Sequence, residues 1–482
     1  MRARVLGCAL LALALPVAAA TKTWNGVNGS TWSNNGNWTP PAAPVAGDDL
    51  VFPANSAMTP VYTFNSTNDL AANTTFASLS ISGSGYTIGG NAIALSGGIV
   101  ANPSSGSNTI QFDTDFISTQ AVSATFISTS LTMTGVITLN TLAVVTVGGS
   151  GDALFTNVVQ GAGHLTKSGV GRLTLAGANT YLGGTQIIGG ALRIQNPNAL
   201  GATSTGTTVA AGAALEIDSG VSGLASSPQE PLTLGGSGIA GTGALVLVNG
   251  DLAGWEGAIT LNSTATIGVT SATGLNFPKL YLLGVISGSG GITTVAPDAN
   301  IFLPNPGNSY SGETFVASGF LTVGDSLGST ASGTVVQPNA ILEFGGHVGA
   351  EHLTLNGILM AYGSSSWAGD IVLGTDVVLI FESATGGMTL DGVISQASPG
   401  LTLNYHSNYG RPLILNGNNT YSKTAISRGV VLINGSQPST TVTLDDGDMI
   451  GAGTLGGTGT VGAVTATNTG IVSPGSSPGV LT

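Results

Sequence analysis

The chain has 482 residues, of which only 7% are charged, with 23 acids against 10 bases and a formal net charge of −13. A surface of that sign repels phosphate backbones and anionic headgroups, which argues against nucleic-acid binding. Disordered chains combine low hydrophobicity with high charge, so a 42% hydrophobic content excludes that class, and 75 glycines among short β-branched runs point to an all-β protein.

The N-terminus reads as an export signal. Met1–Arg4 is a basic head, Val5–Leu15 an apolar core too short to span a bilayer, and Ala18-Ala19-Ala20 a small-residue cleavage site. Cleavage between Ala20 and Thr21 is expected. Cys8, the one cysteine, precedes the bulk of the apolar core and does not form a lipobox, so the mature chain has neither a disulfide nor a thiolate nucleophile.

Residues 21–52 follow as a Trp-rich N-terminal cap. Trp24, Trp32 and Trp38 are three of the five tryptophans. The first rung of a stacked array has no neighbour beneath it, and large aromatics are suited to covering its apolar end. Stacking on an extracellular carbohydrate is the alternative role for these rings. Pro40, Pro41 and Pro44 interrupt regular pairing, and Asp48–Phe52 reads as the first strand of the array.

The most informative stretch is Gly163–Ile194. Short apolar runs, Leu173-Thr174-Leu175, Thr185–Ile188 and Ala191–Ile194, alternate with Gly177, Gly183-Gly184 and Gly189-Gly190. Runs of this length are strands, and the glycines are corners. With Asn179-Thr180-Tyr181 between them, these runs resemble the autotransporter-associated β-strand repeat of Gram-negative surface proteins, with Leu182 where the family usually has serine. The tryptophan opening and the closing Leu455–Val464 and Ile471–Thr482 resemble the ends of such repeat regions. The resemblance implies a right-handed parallel β-helix of pectin-lyase type, located outside the cell or on its surface.

The chain also repeats itself over roughly 110–130 residues. Asn179-Thr180-Tyr181 returns as Asn308-Ser309-Tyr310 and Asn419-Thr420-Tyr421. Gly284–Ser287 answers to Gly392–Ser395, Trp255-Glu256-Gly257 to Trp367-Ala368-Gly369, Asn198–Gly201 to Asp325–Gly328, and Glu216 to Glu343. Repeat units are placed near 161–194, 287–323 and 394–433, within a solenoid region covering 53–482. No 10–15-residue helical pattern links the strands, which excludes βαβ units. An antiparallel sandwich is the competing architecture, because Asn25-Gly26, Asn249-Gly250 and Asn416-Gly417 are hairpin dipeptides.

The search for chemistry returns turns and surfaces. Asp445, Asp446 and Asp448 form the densest acidic cluster and Asp113/Asp115 a lesser pair, but neither has a basic proton acceptor beside it. His347 and His352 lack metal-site spacing, Gly148–Asp152 faintly resembles a calcium-binding nonapeptide repeat but has its Asp misplaced and does not recur, and Gly235–Gly238 lacks the helix that phosphate binding needs. No catalytic, cofactor or metal residue is therefore assigned. Asn179, Tyr181, Gly183, Gly184, Tyr310 and Tyr421 are given structural roles. No membrane-barrel pattern follows Val464, which leaves export to an outer-membrane partner or makes the chain the N-terminal part of a longer protein. The expectation is a secreted or surface β-helix of Gram-negative type, structural or adhesive. A lyase or hydrolase acting on carbohydrate is the alternative.

Overall fold

The computed structural model describes residues 19–54, 64–103, 105–124, 129–141, 143–220, 228–270, 277–444, 452–467 and 469–475. The acidic cluster at Asp445–Asp448 and most of the export signal lie outside the described residues.

The protein is a parallel β-solenoid with no α-helix among the described residues. Successive passes of the chain lie directly above one another and pair in register. Ala153 sits beside Leu173, then Leu192, Leu215, Leu245 and Ile267 along one ladder. A second ladder carries Leu50, Leu79 and Ile99, and further on Val145, Leu165 and Thr185. A third begins with Thr74–Phe76 and runs through Ile93–Leu95, Thr114–Phe116 and Ile137–Leu139 to Val159–Gly161.

Alternation along each strand sends every second side chain inward. Leu173 and Leu175 are buried while Arg172 and Thr174 are half-exposed, and Ile358–Ala361 repeats the pattern. The buried positions stack into columns of Leu, Ile, Val and Phe that form one continuous core. Stacking at ~4.8 Å per rung lets each strand satisfy its backbone groups on both neighbours, which three-residue strands could not achieve in isolation.

Corners are built by glycine and by local caps. At the 189–190 corner, Gly190 has φ 63, and a Cβ there would lie 2.4 Å from the carbonyl oxygens of both Gly169 and Gly171. Lys167, itself buried, reaches across the same corner. Its ammonium donates to the carbonyls of Ser168, Gly169 and Gly189 at 2.5, 3.0 and 3.0 Å. Burial pulls its pKa down to about 8, against the opposing pull of Asp152.

Two sequence expectations are refined. Asn249-Gly250 and Asn416-Gly417 do not make hairpins: each is a corner after a strand held in parallel ladders. Some strands also exceed the short runs read from the sequence. Ile292–Leu303 has 12 residues and Thr314–Val323 has 10. Each carries the chain through a corner without a break, with register shifts between Thr294 and Val295 and between Ala296 and Asn300. Asp298 takes φ 54 at that bend.

At the N-terminal end, Thr21–Trp24 pairs in parallel with Asp49–Phe52 and antiparallel with Trp38–Thr39. That is the one antiparallel ladder among the described strands. Trp24, Trp32 and Trp38 are at most 1% exposed. Trp38 meets Trp24 edge-on at 5.2 Å and Trp32 at 5.7 Å, and Trp32 also touches Phe52, Phe76 and Phe112. The indole nitrogens donate to the Trp32 carbonyl at 2.9 Å and to the Ser66 hydroxyl.

Candidate functional site

The tyrosine motif is a stitch between rungs, built the same way three times. Each motif asparagine lies above the first residue of a three-residue strand, Val159–Gly161, Ile286–Gly288 or Ile394–Gln396. Its side-chain oxygen accepts the backbone N–H of Val159 at 2.7 Å for Asn179, of Ile286 at 2.9 Å for Asn308, and of Ile394 at 2.8 Å for Asn419. The Gly-Val-Ile-Ser echoes in the sequence are therefore the rungs that Asn308 and Asn419 grip. The amide nitrogen of Asn179 donates onward to the Ala199 carbonyl at 2.5 Å, and that of Asn419 to Gln437 at 2.8 Å. The amide nitrogen of Asn308 is buried without a partner.

Two residues on, the tyrosine turns fully inward. Its hydroxyl meets a threonine hydroxyl at the start of the next strand: Tyr181 with Thr185 at 2.5 Å, Tyr310 with Thr314 at 2.6 Å, Tyr421 with Thr424 at 2.7 Å. Burial pushes all three phenols well above their ordinary pKa, Tyr421 to about 12. Gly183 cannot carry a side chain, since a Cβ would lie 2.2 Å from the Gly163 carbonyl, while the Gly184 N–H donates to His164 at 3.0 Å.

Beyond the tyrosines lies a feature that sequence reasoning missed. The interior column Leu165–Thr185–Thr207–Leu232–Ile259 is apolar except for its two central threonines. The column Ile292–Thr314–Thr334–Leu353–Ile371 repeats that interruption. In each, the second threonine donates to a buried glutamate, Thr207 to Glu230 at 2.7 Å and Thr334 to Glu351 at 2.9 Å. Burial raises Glu230 to about 7 and lifts Glu351 in the same direction; the threonine hydrogen bonds oppose this. The Trp-x-Gly echo closes the unit. A Cβ on Gly257 or Gly369 would fall 2.0 or 1.8 Å from the carbonyl of Glu230 or Glu351, and Trp367 donates to the Glu351 carbonyl at 2.8 Å. The third copy lacks the acid: Thr424 is followed by Val442. The alignable echoes pointed to Glu216 and Glu343, which face outward. Glu230 and Glu351 sit at unequal distances from their tyrosines, and their neighbouring residues do not match.

The remaining candidates resolve into scaffolding. Trp24, Trp32 and Trp38 have their faces occupied by one another and by phenylalanines, so none offers a ring to a sugar. Asp113 accepts the Val136 N–H and Asp115 the Asn140 amide, both at 2.7 Å. His347 and His352 are exposed, and among the described residues no group of three or more His, Cys, Asp or Glu could hold a metal ion. Glu216 accepts from Arg172 at 2.8 Å and Arg193 at 2.7 Å, an ion-pair ladder across three rungs.

Comparison with known proteins agrees with this geometry. The passenger-associated-transport-repeat model matches residues 165–194, 303–323 and 413–433. Each matched stretch ends on the last residue of a strand, Ile194, Val323 or Ile433. Over 404 residues, 78% of its length, the chain is 26% identical to the adhesin BmaC autotransporter of Brucella suis. It spans 11% of that protein's length. No solved structure matches the chain. The chain is thus a parallel β-solenoid that carries passenger-associated transport repeats and is similar, over most of its length, to part of an autotransporter adhesin.

Proposed function

We propose that this protein is exported and displayed as a passenger-like solenoid whose outer face binds a surface ligand, without catalysis of its own. The observation that carries this reading is the similarity to an adhesin along 78% of the chain, combined with repeat motifs spent on holding rungs together. The Asn, Tyr, Thr and Glu residues that recur between repeats point into the solenoid or between its rungs, so their recurrence maintains a rod. That leaves the outside to read a ligand. Residues 1–20 serve as the export signal, with cleavage between Ala20 and Thr21, and passage through the outer membrane uses a partner or a further segment. Cleavage there leaves Thr21 as the opening residue of the first strand.

The test is attachment. Bacteria displaying the chain should adhere to host cells or to an extracellular polymer more than the parent strain does, and the purified chain should compete. Neither gain nor competition on any surface would remove the adhesive role. Release of reducing ends from a bound polysaccharide would replace it with an enzymatic one.

A further inference from the structure

One outward face of the solenoid brings aromatic rings and carboxylates together. On consecutive rungs its outward positions carry Tyr281, Phe302, Thr322, Glu343 and Met360 in register. Tyr281 and Phe302 lie flat against each other, with ring centres 4.2 Å apart and planes 9° from parallel. In the adjoining column two glycines follow one another, Gly324 and then Gly345. Beside them lies a shallow cleft of about 440 Å³, lined by Phe302, Thr322, Glu343, Tyr362, Glu382 and Ser383. The Tyr362 ring occupies the space over Gly345, where a Cβ would fall 2.1 Å from the ring. It remains 39% exposed. Thr322 donates to Glu343 at 2.6 Å, and Glu382 accepts from Asn408, so both carboxylates are held in place.

We propose that this cleft binds a neutral glycan, with Phe302 and Tyr362 stacking on pyranose faces and Glu343 and Glu382 accepting sugar hydroxyls. The proposal rests on the adhesive reading and names its ligand class. Flat, partly exposed rings suit a ligand with one apolar face, and carboxylates without a cation beside them in the cleft suit a ligand rich in hydroxyl donors. The chain's net charge of −13 disfavours uronate or sulfated polymers on the same surface. From Phe302 to Glu382 the cleft crosses four rung steps, roughly 19 Å at ~4.8 Å each, which is enough for several linked sugars.

The experiment titrates the full chain calorimetrically with cellohexaose, mannohexaose and xylohexaose, and with hexagalacturonate as the anionic counterpart. It runs beside the cell-attachment assay. At least one neutral hexamer should bind and the uronate should not. Phe302→Ala and Tyr362→Ala should each weaken binding at least tenfold with an unchanged melting temperature. Glu382→Gln, on an exposed residue, should weaken it several-fold and guards against a folding defect in the aromatic variants. Attachment to cells with no hexamer bound, or binding indifferent to all three substitutions, overturns the glycan site and leaves the adhesive role standing. Absence of both attachment and hexamer binding removes both.

Discussion

Thr207 donates its hydroxyl to Glu230 across 2.7 Å in the interior of the solenoid, and Thr334 does the same for Glu351 one super-repeat later at 2.9 Å. Burial holds Glu230 at about 7 instead of the usual 4.5. The folded state therefore keeps a proton that the unfolded chain releases between those values, and stability falls as pH rises through that window. Calorimetry should give a higher melting temperature at pH 5 than at pH 8. The double variant Glu230→Gln, Glu351→Gln should flatten that difference; an unaltered slope would assign the pH dependence elsewhere.

Removing the tyrosine hydroxyl tests the stitch. Tyr181→Phe leaves Thr185 buried without its phenol partner, and such a loss costs about 1–3 kcal/mol. Tyr310→Phe should cost no more than this, because the Thr314 hydroxyl also reaches the Leu327 carbonyl at 3.5 Å. Urea titration of the two variants measures both losses, and a negligible effect in both would show that the hydroxyl pair contributes nothing net.

Gly201 and Gly328 separate backbone strain from steric contact. Both have positive φ, 80° and 93°, and a Cβ on either would lie 2.5 Å from the carbonyl of Tyr181 or Tyr310. Gly212 has φ 82 with open space around it. Alanine at Gly212 should cost about 1 kcal/mol from φ alone, and alanine at Gly201 or Gly328 distinctly more. Equal costs at the three sites would mean that the tyrosine contact yields freely.

Trp32→Ala empties a fully buried indole site at the N-terminal end and should cost about 3–5 kcal/mol. In a stacked array such damage stays local. Hydrogen exchange should rise in residues 21–81 and remain unchanged beyond Thr314. Uniform destabilisation along the chain would show a solenoid that unfolds as one unit.

The export signal makes a direct prediction. N-terminal sequencing of protein recovered from the culture medium or the cell surface should begin at Thr21. A start at Met1 in that material would refute cleavage.

Strands and corners were legible because they depend on local chemistry. Alternation at Arg172–Leu175 and the glycine pairs at 183–184 and 189–190 identify strand and corner without knowledge of what lies above them. The repetition of Asn179, Tyr181 and Gly201 in later units was legible too, since identical contacts demand identical residues. The threonine–glutamate pairs were not. Thr207 and Glu230 come together because they occupy adjacent rungs, and rung length varies from turn to turn, so no fixed spacing links them. The glycan cleft was hidden for a similar reason: Phe302, Glu343, Tyr362 and Glu382 are neighbours only through register. The tryptophans gave the opposite problem. Their clustering in sequence reads as a cap but leaves a sugar platform as the alternative, and what separates the two, burial against Phe52, Phe76 and Phe112, is set by the fold.

A rod assembled from nearly equivalent turns must also defend its counting. Leucine and isoleucine columns tolerate displacement by one whole turn, since each apolar neighbour resembles the next. The paired threonines at 185 and 207, and again at 314 and 334, break that equivalence. Shifting either segment by a turn sets a buried carboxyl group either against an apolar rung or against Thr185 or Thr314, whose hydroxyls already pair with Tyr181 and Tyr310, and burying an unpaired polar group is costly. Glu230 and Glu351 thus act as alignment marks, each fixing the register of its own stretch of solenoid as the chain folds.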